Sequence, residues 1–149
     1  MSENIYLSQM EPVIREVISG GSTVTLIASG KSMEPFIRDQ KDKIVLKKPE
    51  GKLKKGDVPF YKRQNGQFVL HRIIGFDADG YILRGDNQWV KERGIKDSDI
   101  IAVLDSVEKN GKTHKLNGFY CRAYRFFMPA IRWSRRIVNS IKIRTGESR

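Results

Sequence analysis

At 149 residues, 39% hydrophobic and 30% charged, the chain is long enough for one domain with a sizeable core and too apolar for wholesale disorder. Its formal charge of +11 sits largely at one end, where residues 119–149 carry eight Lys or Arg against one acid. The single cysteine, Cys121, excludes an intrachain disulfide and a cysteine-based metal cluster, and no run of ~18 apolar residues is present to span a bilayer.

Residues 5–19 space Ile5, Tyr6, Met10, Val13, Ile14, Val17 and Ile18 at helical intervals before a Gly20-Gly21 stop, which predicts an amphipathic helix. The β-branched run 23–28 then reads as a strand. It leads into Gly30-Lys31-Ser32-Met33-Glu34-Pro35, a turn on which Ser32 is presented. Strand-like runs follow at 43–48, 57–63, 67–75, 81–84, 100–108 and 113–116. Asn65-Gly66, Asp79-Gly80 and Asn110-Gly111 mark hairpins between several of them. The expected fold is mainly β: a coiled antiparallel sheet or partly open barrel, with an N-terminal helix (1–22), a β-rich domain (23–118) and a basic helical tail (119–149).

In the tail, a wheel at ~100° per residue gathers Ala130, Ile131, Trp133, Ile137, Val138 and Ile141 on one arc, with Arg132, Arg135, Arg136 and Lys142 opposite and Pro129 in the first turn. Two readings stand side by side: a helix lying in an anionic membrane interface through residues 119–143, or a terminal helix docked on its own domain with its arginines in water. Deletion of 119–149 is expected to release the protein from anionic vesicles and to spare the active centre. The N-terminus has no basic segment followed by an apolar one, so the expected location is cytoplasmic, with a peripheral seat on the inner face of the membrane as the tail's contribution.

Four residues invite chemistry. By itself a lone Ser32 between Gly and Pro reads first as an ordinary polar turn, and His71, in a strand flanked by apolar residues on all sides but Arg72, reads first as a half-buried structural histidine. The other histidine, His114, lies in a polar context, so His71 is the candidate general base. Asp86, in Gly85-Asp86-Asn87, is either a turn former or the carboxylate that orients an imidazole; Glu92 offers a second carboxylate or a surface ion pair.

In order, Gly30-Lys31-Ser32-Met33-Glu34-Pro35, Gly56-Asp57-Val58, His71-Arg72-Ile73-Ile74 and Gly85-Asp86-Asn87 resemble the boxes of type I signal peptidases, most closely the endoplasmic-reticulum and archaeal branch, where histidine replaces the bacterial lysine base. The match spans roughly residues 24–107. The resemblance implies a serine endopeptidase acting on a peptide or protein precursor. Ser32 is then the nucleophile, His71 the base, and Glu92 or Asp86 the orienter. The Ser32 backbone N–H serves as oxyanion donor in a substrate-binding turn with Gly30, Met33 and Pro35. No cofactor or metal is implied.

Autocleaving SOS-type repressors share the Ser-Met turn but normally use lysine. The Ala-Gly or Cys-Gly cleavage bond of such regulators is absent from the sequence, and 31 residues before Ser32 leave no room for a helix-turn-helix domain. The remaining alternative is a non-catalytic β-domain whose basic tail binds membrane or nucleic acid. A nucleic-acid partner is disfavoured because the β region lacks aromatic-basic interleaving. Oligomeric state is left open.

Overall fold

The structure, a computed structural model, describes residues 2–144. Its main sheet has β1 (Val24–Ile27) at one edge, followed by β2 (Lys43–Lys47), β8 (Ile100–Lys109), β3 (Pro59–Lys62) and β4 (Phe68–Leu70) at the other. All pairings are antiparallel, and β9 (Lys112–Lys115) joins β8 as a hairpin. A second antiparallel sheet holds β5 (Arg72–Asp77), β6 (Gly80–Arg84) and β7 (Glu92–Ile95). The larger sheet curls into a half-barrel, as the strand pattern leads one to expect.

The curl follows from alternation along the strands. β2 has a buried Ile44 and Leu46 between outward lysines, and β8 buries nearly every position of its first half because elements cover it on both faces. Register shifts interrupt the β2–β8 and β3–β8 ladders, and such irregularities bend and twist a sheet. Inside the curl lies a core of Met33, Phe36, Ile44, Leu46, Phe60, Leu104 and Val107, onto which helix α1 (Ser2–Ser19) sets Ile14 and Ile18. At Asn110-Gly111 both residues have positive φ, 49° and 75°, the conformation that a two-residue hairpin requires.

Two features differ from the sequence reading. The run 67–75 is two strands, broken at His71, because the chain there leaves the large sheet for the small one. Glu92–Ile95, whose Glu-Arg-Gly-Ile sequence has no apolar alternation, is a strand held by pairing with β6.

Helix α2 (Phe119–Arg144) starts where the basic tail is expected to, but it runs unbroken through Pro129, which lies inside it and not in its first turn. Its first turns belong to the core. Cys121 is fully buried, and the Tyr124 ring packs 4.8 Å from that of Phe36. Arg132, expected in water, donates to the Gln88 carbonyl at 2.8 Å and lies 4.7 Å over the Trp89 ring. The side chains of Ile131, Arg135, Arg136, Ile137, Val138, Ile141 and Lys142, named in the helical-wheel reading, are outside the described residues. Among the described residues, no helix is long and apolar enough to cross a membrane.

Candidate active site

Ser32 follows edge strand β1 and His71 follows edge strand β4, so curling the sheet carries both to one cleft. That cleft measures about 900 Å³ and is walled by Leu26–Ala28 on one side and Phe68–Leu70 on the other, with Ser32 and His71 in its lining.

The serine turn is held from both ends. Gly30 has φ +92°, which a side chain rarely tolerates, and its N–H donates to Asp39 Oδ1 at 2.9 Å. Behind Ser32, Met33 and Phe36 are buried in the core and the Glu34–Pro35 bond is cis. From across the site, the Asn87 N–H donates to the Ser32 carbonyl at 2.8 Å and the Asn87 side chain donates to the Lys31 carbonyl at 3.1 Å. The turn is thus clamped to the loop after β6.

Gly85 is the point where the two parts meet. A Cβ on Gly85 would fall 2.6 Å from the Ser32 carbonyl oxygen and 3.1 Å from His71 Nε2, so only glycine lets the serine turn and the imidazole approach this closely. His71 itself is buried. Its Nδ1 lies 2.8 Å from Glu92 Oε1, leaving Nε2 toward Gly85 and the serine turn.

Glu92 is held in turn. Arg63 donates Nε to Oε2 at 2.9 Å and Nη2 to Oε1, and the Tyr61 hydroxyl, 3.3 Å from His71 Nδ1, joins the same cluster. Burial raises the cost of charge on Glu92, yet Arg63, Tyr61 and His71 outweigh it and hold the carboxyl below its ordinary range. For His71 burial prevails over the Glu92 charge, and its pKa lies below 6.5. Burial thus favours the neutral imidazole, and the carboxylate at Nδ1 favours the tautomer that donates Nδ1–H to Glu92 and keeps the lone pair on Nε2.

Of the two candidate orienters, Glu92 is the one against His71. Asp86 faces Arg72 in a buried two-bond pair, Nε to Oδ1 at 2.9 Å and Nη2 to Oδ2 at 2.8 Å. Arg72 also donates to the Gly56 carbonyl at 3.0 Å and stacks 4.7 Å over Phe36. The Gly56, Arg72 and Asp86 boxes are thus one bolt beneath the site, joining the β2–β3 connection, β5 and the Gly85 loop to the far end of the serine turn.

Arg63 and Tyr61 were not foreseen as site residues. Their signal lies in parity: two apart along an extended segment, they share a side, opposite to that of Phe60, which enters the core inside the curl. Among the described residues, no cluster of three or more His, Cys, Asp or Glu is placed to hold a metal.

A mainly β chain curled into an antiparallel half-barrel sheet is the fold of the superfamily that includes signal peptidases and SOS-type repressors. Within it, a model of the Peptidase S24-like family matches residues 2–107, more than two thirds of the chain, and the protein belongs to that family. The family covers serine peptidases and autoregulatory members. No curated protein matches the chain.

Proposed function

We propose that the protein is a serine endopeptidase that hydrolyses a bond in a peptide or protein precursor, using Ser32 as nucleophile, His71 as general base and Glu92 as the residue that orients His71. The observation that carries this reading is the Glu92 carboxylate at His71 Nδ1, with the opposite ring nitrogen turned to the serine turn. That tautomer is the one a base needs: Nδ1–H is engaged and the Nε2 lone pair is available. A histidine base is also what sets the endoplasmic-reticulum and archaeal branch apart from its lysine-using relatives.

In the reaction, Ser32 Oγ attacks the scissile carbonyl carbon while its proton passes to His71 Nε2. The imidazolium is stabilised by Glu92. The tetrahedral intermediate collapses as the C–N bond breaks and Nε2 returns the proton to the leaving amine. Water, deprotonated by the same nitrogen, then attacks the acyl carbon; the C–Oγ bond breaks, and Nε2 returns its proton to Ser32 Oγ as the acid product leaves. The Ser32 backbone N–H stabilises the oxyanion, a donor worth about 3 kcal/mol when well placed.

The substrate would lie extended in the cleft. Both of its walls are edge strands, whose unpaired backbone groups accept an extra strand, and Ile27 is 63% exposed on β1 as an apolar contact. Asp86 takes a structural place in this scheme, through Arg72.

Covalent labelling by a peptidyl phosphonate, read by intact mass, tests the assignment. Wild type is expected to gain one probe mass and Ser32→Ala none; His71→Ala is expected to react at least about a thousandfold more slowly. Equal labelling of Ser32→Ala would overturn it.

A further inference from the structure

Helix α2 is packed the wrong way round for a soluble amphipathic helix. Its domain-facing side has Cys121 and Tyr124 in the core, but also Arg125 against Gly56 and Arg132 on Gln88 and Trp89. Its outward side has Phe119, Phe126 and Trp133, 88%, 79% and 67% exposed, with Ala130 and Phe127 beside them. Next to the helix, at the ring that Arg132 covers, the loop tip Trp89-Val90 is exposed as well. A large apolar patch in water marks a surface that something covers.

We infer that this face of α2, with the Trp89-Val90 tip, docks on an anionic lipid surface. Charge selects that occupant: the segment 119–149 has a net charge of +7, so apolar burial and attraction to acidic headgroups act together. Phe and Trp dominate the patch, and aromatic rings suit the headgroup boundary. The helical part of the face lies beyond residue 107, where the family match ends, and the inference stands whether or not Ser32 is a nucleophile. The position of the face has a consequence. Trp89 follows Asn87, which clamps the serine turn, and Gln88, which lines the cleft with it, so docking places the cleft beside the membrane surface.

The full chain is mixed with phosphatidylcholine vesicles, with and without phosphatidylglycerol, and followed by sedimentation. Binding is expected only with phosphatidylglycerol, to weaken with added salt, and to fall about tenfold or more in Phe126→Ser/Trp133→Ser. Phe76→Ser, an exposed aromatic on the small sheet, is expected to bind as wild type. Should the double variant fail to fold, brominated lipid decides with wild type alone, because both tryptophans of the chain lie in the proposed surface. Quenching of their emission supports docking. Absence of quenching, equal binding to both vesicle types, or a dimer that depends on Phe126 and Trp133 without vesicle binding would each overturn it.

Discussion

His71 and Glu92 make a pair whose two pKa values are both lowered, and the consequences can be separated. Because burial holds His71 below 6.5 in the folded protein, the rate of phosphonate labelling is expected to rise with pH through a midpoint below 6.5 and then level. The Glu92 charge opposes that lowering, so in Glu92→Gln the midpoint moves further down while the plateau falls, by about a hundredfold, as the imidazole loses the group that fixes its tautomer. An unchanged plateau in Glu92→Gln would remove it from the orienting role. Stability follows the same direction. Between the folded pKa of His71 and 6.5 the unfolded chain binds more protons, so stability rises with pH across that window and is lost as pH falls through it. Glu92 adds a second loss at lower pH, below its unfolded value of 4.5.

The loops around the site behave as elements with distinct tasks, and two substitutions one residue apart divide them. Gly85→Ala puts a methyl against the Ser32 carbonyl, which Asn87 holds in place, so labelling is expected to drop at least about a hundredfold. Asp86→Asn leaves the Arg72 charge buried without its partner. That costs about 3 kcal/mol, or roughly 10 °C in melting temperature for a chain of this size, while the protein that remains folded keeps its His71–Glu92 pair. If Asp86→Asn instead melted like wild type and lost all labelling, its role would be chemical. Spacing alone could not divide these roles. Asp86 and Glu92 both follow β6 in sequence, and what separates them is which cation each meets: Arg72 for one, Arg63 for the other, both set by strand pairing. Strands bounded by Gly turns were legible because their alternation and turn chemistry are local. The break at His71 was not, since it lies in an unbroken apolar run and arises from a change of sheet. β7 was not, since its cause is its partner.

At the scale of the molecule, the boundary drawn at residue 119 from the shift in charge does not coincide with the edge of the core. The sequence shows a basic tail; it cannot show that Cys121 and Tyr124 are core residues, because the residues they pack with, such as Phe36 against Tyr124, are far away along the chain. Phe36 closes the serine turn and stacks under Arg72, so the first turns of α2 support the site from below. Against the expectation from sequence that deleting 119–149 spares the active centre, a chain ending at 118 is therefore expected to melt several degrees below the full protein and to label poorly with phosphonate, whereas one ending at 134, which retains Cys121, Tyr124 and Arg132, is expected to do neither. Cys121 gives an independent reading. Its thiol is buried and its pKa raised by that burial, so in the full chain it is expected to react with a disulfide reagent only as fast as α2 lifts, and to react at once in denaturant. Rapid reaction in the native protein, together with full labelling of the chain ending at 118, would make α2 an appendage independent of the site. Slow reaction would tie the helix, and whatever its outer face docks on, to the geometry at Ser32.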